Sequence, residues 1–276
     1  MALTTRILAN ALGVEITGID LSKPVALADR DAMRRALDDH LVMVVRNQML
    51  DPAQYLAAAR LFGDTMKQHL SDMLMDAQPE IAVLDSARTT PGPDGRTAAL
   101  GSRDWHTDHT NHARPPSFTA LYAISLPRSG GDTQFANMQR AYAKLPQAMR
   151  DKLATFKTVN RIEDHDYVTA EAKARFGAPQ IHPLVRVHPV SGRKGLYFHP
   201  GKTDRIKGMG HDESLAFLNE LLDRIIQPDI VFRHRWRVGD MLLCDNRAVL
   251  HVAIDDYDHA EGRVMHRILL AGDVPV

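Results

Sequence analysis

The sequence predicts a mainly β protein whose strands are flanked by helices, and three observations lead to that prediction. The 276 residues include 27 aspartates but only 7 glutamates. Aspartate favours turns and caps, whereas glutamate favours helix interiors. Short apolar runs separated by turn residues fill roughly the last 50 positions, as in a series of strands. The 44% hydrophobic and 25% charged residues are typical of globular chains, and without a visible linker we expect one domain over residues 1–276.

The helices and strands can be placed in order along the chain. Apolar residues at helical spacing predict helices over 29–40, 51–62, 146–156 and 212–227. Asp51 before Pro52 is typical of a helix start, and Asp212 is expected to cap the last helix. Apolar runs predict strands over 41–45, 81–84, 118–126, 230–235, 241–244, 249–253 and 264–271.

Charge and cysteine content exclude several functional classes. The 34 Lys+Arg balance the 34 Asp+Glu, so the basic excess of a nucleic-acid or membrane-surface binder is absent. We expect neither a membrane span nor a secretory signal, because the apolar runs are far shorter than the roughly 20 residues a span needs. A single cysteine, Cys244, cannot form an intrachain disulfide and favours the cytoplasm; we expect it to be a small buried hydrophobe.

Two separate segments carry candidate metal ligands. His106 and Asp108 lie in WHTDHTNH (105–112), where an extended strand would project both to one face. His251 follows in CDNRAVLH (244–251), on an apolar strand. Two histidines and one carboxylate form the facial triad of non-haem Fe(II) oxygenases, and the same set also suits catalytic zinc. Each histidine alone is more often a structural group, so the assignment depends on a further feature.

Two arginines after His251 supply that feature. Arg263 and Arg267 lie an even number of residues apart in GRVMHRILLAGD (262–273), so a strand would turn both toward the interior that His251 faces. Buried arginines require anionic partners, and arginine binds carboxylates in a bidentate manner. A dicarboxylate cosubstrate and an anionic substrate would provide them. The alternative is a pair of structural ion pairs on an exposed strand.

Six segments match one enzyme family in order and separation. They are GVEITGIDL (13–21), RLFGD (60–64), WHTDHT (105–110), LPRSGGDTQFANM (126–138), HRWRVGDMLLCDNRAVLHVAIDDY (234–257) and RVMHRILLAGDVP (263–275). In these segments the chain resembles the taurine dioxygenase family of Fe(II)/2-oxoglutarate-dependent dioxygenases, which includes 2,4-dichlorophenoxyacetate dioxygenase. The resemblance implies a double-stranded β-helix, that is, a jelly roll with a cupin-like core and flanking helices. It also implies a homo-oligomer.

The resemblance assigns roles to individual residues. His106, Asp108 and His251 match the iron ligands. Thr133, in the GGDT motif, and Arg263 match the groups that hold the distal carboxylate of 2-oxoglutarate.

Three further positions are candidates for binding the prime substrate. Arg267 matches the arginine that binds a sulfonate or carboxylate in these enzymes. His69, in the loosely matching MKQHL (66–70), is the nearest candidate for a substrate-binding histidine. Asn111 is a candidate only because it adjoins the metal motif.

The implied activity is hydroxylation of a C–H bond in a small anion by Fe(II), 2-oxoglutarate and O2, with succinate and CO2 as co-products. Where the hydroxylated carbon bears a heteroatom, the C–heteroatom bond would break. The Gly- and Pro-rich segment 86–103 is expected to be a mobile active-site loop or a surface insertion. Two alternatives remain open: a zinc-dependent hydrolase on a jelly-roll scaffold, and a non-enzymatic jelly-roll binding protein.

Overall fold

Six helices and sixteen strands lie within the part of the chain that the computed structural model describes, which is residues 3–66, 68, 73–88, 104–162 and 170–276. The helices are α1 (Leu27–His40), α2 (Pro52–Arg60), α3 (Met138–Lys144), α4 (Gln147–Ala154), α5 (Ala170–Phe176) and α6 (His211–Ile225). The first strands are β1 (Thr4–Ile7), β2 (Val14–Thr17), β3 (Val42–Val45), β4 (Leu74–Met75), β5 (Gln78–Asp85), β6 (Phe118–Ser125), β7 (Thr133–Asn137) and β8 (Lys157–Asn160). The others are β9 (Gln180–Pro183), β10 (Val185–Val187), β11 (Lys194–Leu196), β12 (Thr203–Ile206), β13 (Val231–His234), β14 (Met241–Asp245), β15 (Val249–Ala253) and β16 (Val264–Leu270).

Two of the sheets form the core of a jelly roll. The large sheet has the order β1-β2-β3-β14-β6-β16-β5-β4, with only β2 and β3 parallel among its pairs. The small sheet has the order β13-β7-β15 and is antiparallel throughout. Neighbours such as β3 and β14 are far apart in the chain, as the crossovers of a jelly roll require.

Alternating side chains along the central strands build two apolar layers. On β3, Val42 and Val44 belong to the cluster that also contains Phe135 of the small sheet, so this layer fills the space between the sheets. Met43 and Val45 point the other way, into the cluster formed with α1 and α2. A strand buried on both faces reads as a continuous apolar run, which explains why this one is easy to predict.

A third apolar cluster lies on the outer side of the small sheet. Ala136 of β7 and Leu250 of β15 pack there with residues of α3 and α6, such as Met138 and Leu221. Both faces of the small sheet are therefore covered, and β15 runs through a dry interior. In the described part of the chain, every helix is shorter or less apolar than a bilayer crossing requires.

The predicted helices are present, but one predicted cap is wrong. Asp51 caps α2: its side chain accepts from the Gln54 backbone N–H at 2.8 Å, and the Gln54 side chain accepts from the Asp51 N–H in return. Asp212 does not cap α6, because Gly210 occupies that position without a side-chain hydrogen bond and Asp212 lies in the first turn. There its negative charge still favours the positive end of the helix dipole.

All seven predicted strands are found with ends shifted by a few residues at most, whereas several short elements were not predicted. The strands β8 to β12 and the helices α3 and α5 are short segments whose patterns mix polar and apolar residues. Cys244 is fully buried on β14, as expected for a small hydrophobe. Of the predicted loop 86–103, residues 86–88 form a 3-10 turn and residues 89–103 lie outside the described part.

Candidate metal centre and anion-binding groups

Two histidines from distant parts of the chain are joined through their backbones. The His106 N–H donates to the His251 carbonyl at 3.0 Å, and the His251 N–H donates to the His106 carbonyl at 2.7 Å. This isolated antiparallel bridge places the two imidazole rings side by side, with centroids 4.1 Å apart. His251 lies on β15, which the chain enters after the DNR turn has carried it from β14 of the large sheet to the small sheet.

Asp108 completes a buried group of three potential metal ligands. One ligand atom from each of His106, Asp108 and His251 lies within 4.8 Å of the other two. The predicted strand through residues 106–108 is wrong, because only His106 forms a bridge and a turn begins at Asp108. His109 in that turn has a φ of 48°, a left-handed conformation uncommon outside glycine. The turn, and not a strand face, brings the carboxylate to the histidines.

The protonation states of these three groups suit a divalent metal. Burial lowers the pKa of His106, and it lowers the pKa of His251 to about 3, with the neighbouring His106 adding to the effect. Burial alone would raise the pKa of Asp108, but His251 and Arg267 outweigh it and the net pKa is lowered. At neutral pH the site therefore holds two neutral imidazoles and one carboxylate, which is the form that binds metal.

The orientation of His106 also fits a metal ligand. Its Nδ1 lies 2.9 Å from the backbone carbonyl of Asp104, which can only accept a hydrogen bond. Nδ1 must therefore carry the proton, and the Nε2 lone pair is left to face the metal position. Two imidazole nitrogens and one carboxylate oxygen fit Fe(II), and three protein ligands leave coordination positions for other molecules.

Arg267, on β16, lies next to this triad. Its Nη1 is 3.8 Å from Oδ1 of Asp108, and only about an eighth of its side chain is exposed. Its Nε and Nη2 atoms both donate to Oε1 of Gln68, at 3.2 and 2.9 Å. The arginine is thus held by a neutral amide and keeps its positive charge beside the metal centre.

Gln68 was missed by sequence reasoning, which proposed the adjacent His69. Gln68 is 3% exposed, and its Nε2 donates to the carbonyls of Glu80 and Arg267 at 3.0 and 3.2 Å. Its amide therefore uses two acceptor and two donor positions. A glutamine in a mixed polar segment carries no sequence signal for such a role. His69 lies outside the described residues.

Arg263 and Thr133 form a second polar group, distinct from Arg267 and the triad. Arg263 directly precedes β16, is 7% exposed, and donates from Nε to the Gly131 carbonyl at 3.0 Å. Thr133, the first residue of β7, accepts a hydrogen bond at Oγ1 from Trp236 Nε1 at 3.0 Å. Because that bond occupies the hydroxyl as an acceptor, its single proton is free to be donated into the site. Trp236 is a second residue that sequence reasoning missed.

The glycine-rich motif before Thr133 allows the close approach of Arg263. Gly131 has a φ of 69°, and a Cβ atom there would lie 3.2 Å from Cδ of Arg263. The loop is fixed from outside, because Asp256 accepts from the Gly131 N–H at 2.9 Å. Arg233 then bridges Asp132 and Asp256 with two 2.7 Å hydrogen bonds. Any side chain at position 131 would disturb both the turn and the arginine.

His199 is a further polar residue beside the triad. It is 5% exposed, and its ring centroid is 5.4 Å from that of His106. Asn111, which follows the metal motif in the chain, is 1% exposed. Within the described part of the chain, His199 Nδ1 and both side-chain polar atoms of Asn111 have no hydrogen-bond partner. Phe135 is fully buried and stacks against His251 with ring centroids 6.1 Å apart, whereas Phe198 is a fully buried member of an apolar cluster.

Comparison with known proteins gives a family that covers nearly the whole chain. The sequence profile described as "Taurine catabolism dioxygenase TauD, TfdA family" matches residues 4–269.

Curated relatives and a solved structure agree with this match. The chain is 34% identical to the alpha-ketoglutarate-dependent sulfate ester dioxygenase of Pseudomonas putida, over 97% of this chain and 89% of that protein. It is 31% identical to the alpha-ketoglutarate-dependent 2,4-dichlorophenoxyacetate dioxygenase of Cupriavidus pinatubonensis, over 96% of each chain. The structure of AAD-2 in complex with Mn(II) and N-oxalylglycine superposes with a TM-score of 0.80 at 27% identity, covering 99% of both chains.

Proposed function

The chain belongs to the family of taurine catabolism dioxygenases named TauD, TfdA, and we propose from this premise that it hydroxylates a C–H bond of a small anion. It is an alpha-ketoglutarate-dependent dioxygenase, with Fe(II), 2-oxoglutarate and O2 as cofactor and cosubstrates. The observation that carries the proposal for the substrate is the position of Arg267, whose Nη1 lies 3.8 Å from the carboxylate of the buried triad.

The triad of His106, Asp108 and His251 is proposed to hold the iron. When bound, Fe(II) together with 2-oxoglutarate and O2 supplies the oxidising power that hydroxylates the substrate, with succinate and CO2 as co-products. The chain contributes two neutral imidazoles and an ionised carboxylate that are already assembled. Because all three are buried, water is kept away from the site of oxidation.

Arg263 and Thr133 are proposed to bind the distal carboxylate of 2-oxoglutarate. In the described part of the chain, Arg263 uses Nε on the Gly131 carbonyl and leaves both Nη atoms for a ligand. Trp236 directs the Thr133 hydroxyl proton away from itself. A charged fork and a hydroxyl donor together match the two oxygens of a carboxylate. Burial also lowers the pKa of Arg263, an unfavourable situation that an anion would relieve.

Arg267 is proposed to bind the anionic group of the prime substrate. Gln68 fixes the Nε–Nη2 edge of the guanidinium without neutralising it, so the opposite Nη edge faces the triad. An anion on that edge would place its attached carbon near the metal ligands. His199 and Asn111 are proposed to line the remaining pocket.

The substrate class is proposed to be a sulfate ester, a sulfonate or a carboxylate, since the relatives named above act on a sulfate ester and on 2,4-dichlorophenoxyacetate. Where the hydroxylated carbon carries an oxygen or sulfur substituent, the product would lose that group. The test is a panel of hexyl sulfate, taurine and 2,4-dichlorophenoxyacetate, with 1-hexanol as the neutral control. Succinate formation from 2-oxoglutarate is measured with Fe(II) in the presence and absence of O2.

We expect O2-dependent succinate formation that at least one anion stimulates and 1-hexanol does not. Equal stimulation by 1-hexanol and hexyl sulfate would contradict the anionic substrate. A protein that forms no succinate with any compound, even with Fe(II) and O2, would contradict the proposal as a whole.

The zinc hydrolase is the less favoured alternative. The triad could hold zinc, but a hydrolase has no use for the buried Arg263 or for a Thr133 hydroxyl oriented by Trp236. If it were correct, the Zn(II)-loaded protein would hydrolyse hexyl sulfate without O2 or 2-oxoglutarate. A non-enzymatic binding protein would show neither activity.

The organisation of the protein is proposed from three separate observations: the sequence shows no linker, the family resemblance implies a homo-oligomer, and the single cysteine favours a reducing compartment. We propose that residues 1–276 form one catalytic domain, that the domain assembles as a homo-oligomer, and that it acts in the cytoplasm. Light scattering on purified protein would measure the assembly, and a monomer at micromolar concentration would contradict it.

A further inference from the structure

A threonine contacts Oδ2 of Asp108, the carboxylate oxygen that lies 4.0 Å from Nε2 of His251. Thr119 on β6 is 1% exposed, and its hydroxyl forms a short hydrogen bond with Oδ2 of Asp108. The other carboxylate oxygen, Oδ1, lies 3.9 Å from His106 Nε2 and 3.8 Å from Arg267 Nη1. The two oxygens of this ligand therefore have different surroundings.

Asn246 determines the direction of that hydrogen bond. Its Nδ2 lies 2.7 Å from Thr119 Oγ1, and an amide nitrogen can only donate. Thr119 Oγ1 must accept this bond, so its single proton is given to Asp108. The chain of bonds thus runs from the Asn246 amide through the Thr119 hydroxyl to the carboxylate.

The amide of Asn246 is itself fixed in orientation. The Asp108 backbone N–H and the Thr107 hydroxyl approach its Oδ1 at 3.5 and 3.4 Å. Because a backbone N–H can only donate, that end of the amide must be the oxygen. The Thr107 hydroxyl also donates to the Asn246 carbonyl at 2.7 Å, which ties the turn to the metal motif.

We propose that Thr119 is a positioning residue for the metal centre: its hydrogen bond to Oδ2 fixes the orientation of the Asp108 carboxylate between His106 and His251, and Asn246 sets the direction of that bond. The inference rests on the proposed function, because it concerns the iron ligand named there. Asn246 sits in the turn between β14 and β15, five positions before His251. The same side chain therefore links the loop that carries Asp108 to the strand that carries His251. Hydrogen bonds of this kind orient metal ligands, and their loss typically weakens metal binding by about 10- to 100-fold.

The test is Mn(II) binding to the full-length, metal-free protein, followed by the loss of the free Mn(II) signal in electron paramagnetic resonance. Thr119→Val keeps the branched shape and removes the hydroxyl. We expect its Kd for Mn(II) to be about 10- to 100-fold higher than that of the wild type. Thr119→Ser keeps the hydroxyl, and its Kd should stay within about threefold of wild type.

Thr158→Val is the matched control. Thr158 is also buried on a strand and also accepts from an asparagine amide, Asn160 Nδ2, at 3.0 Å, but it lies outside the metal site. This variant should lose thermal stability to a similar extent while its Kd for Mn(II) stays unchanged. The comparison separates a general packing defect from an effect on the metal ligand.

The outcomes distinguish this inference from the proposed function. A folded Thr119→Val protein with the wild-type Kd overturns the positioning role, and so does an equal loss of Mn(II) affinity in Thr158→Val. Should Thr119→Val not fold, Thr119→Ala is measured beside Thr119→Ser, and equal affinities of that pair overturn the role. A wild-type protein that does not bind Mn(II) contradicts the proposed function itself.

Discussion

Arg263 and Arg267 are chemically identical and lie on the same C-terminal segment, yet the protein holds them in different ways. Arg263 is bound by a backbone carbonyl, at 3.0 Å from Gly131, in a glycine-rich loop. Arg267 is bound by a side-chain amide, that of Gln68, and lies beside Asp108, the proposed metal ligand. In the described part of the chain, a carboxylate approaches only the second of these guanidinium groups within 4 Å.

The difference shows how one residue type can serve two ligands in one pocket. The position of a backbone carbonyl depends only on the fold of the loop. The binding site around Arg263 can therefore stay constant while substrates differ. A side-chain amide can be exchanged by a single mutation, so the Arg267 side can adapt. We therefore expect the conserved cosubstrate on the first side and the variable anion on the second, and substitutions at four positions test this division.

The largest effect is expected for Arg263→Ala. Removing one partner of a buried, charged hydrogen bond typically costs about 2–5 kcal/mol, so the KM for 2-oxoglutarate should rise by about 100-fold. The KM for the prime substrate should change much less. Both values come from succinate formation with one substrate varied and the other saturating. Arg128→Ala, at an arginine whose side chain is 90% exposed, is the control and should change neither value.

Arg267→Ala should show the opposite pattern. We expect about a 30-fold rise in the KM for the active anion of the panel, because a partly buried charged contact of about 2 kcal/mol is lost. The KM for 2-oxoglutarate should rise no more than about threefold. Equal effects of the Arg263 and Arg267 substitutions on both constants would refute the division between the two arginines.

A smaller change is expected for Gln68→Glu, which converts the neutral partner of Arg267 into a charged one. The carboxylate would offset the guanidinium charge, and we expect the KM for the anion to rise by about tenfold. Gln68→Met removes the hydrogen bonds without adding charge and should raise it by only about threefold. If Gln68→Met raises the KM for the anion more than Gln68→Glu does, Gln68 acts by packing and not by leaving the charge of Arg267 available for the anion.

The smallest effect is expected for Trp236→Phe. This change removes the N–H that donates to Thr133, together with part of the indole ring, so the hydroxyl is no longer oriented. One hydrogen bond contributes about 0.5–1.5 kcal/mol, which corresponds to a rise of about 2- to 10-fold in the KM for 2-oxoglutarate. A rise in the KM for the anion, with an unchanged KM for 2-oxoglutarate, would contradict the role of Trp236 in cosubstrate binding.

Much of the site could be predicted from sequence because its central residues lie in segments that resemble those of a known family. His106, Asp108, His251 and Arg267 lie close together in the structure, as that resemblance implies. The expected strand through Asp108 is wrong because the spacing of two alternating residues also fits a turn. The resemblance identifies which residues meet and says less about the backbone that brings them together.

The supporting residues could not be predicted in the same way. Gln68, Trp236, Thr119 and Asn246 act through side-chain hydrogen bonds whose partners are distant in the chain, so no local pattern marks them. The same reasoning explains the fold: strands buried along their whole length, such as β3 and β14, were predicted from their apolar runs, whereas β8 to β12 mix buried and more exposed positions and depend on tertiary contacts that sequence periodicity does not record.

The backbone bridge between His106 and His251 has a consequence for the order of folding. The folded chain brings the two histidines together through this bridge, so we expect the triad to form on folding and the metal to bind the folded state. A metal that binds only the folded state adds stability by mass action, by about 2.7 kcal/mol at a hundredfold excess over its Kd. A chelator should therefore lower the melting temperature and leave the native circular dichroism spectrum intact. A cell short of iron would accumulate a folded apoenzyme that regains activity without new synthesis.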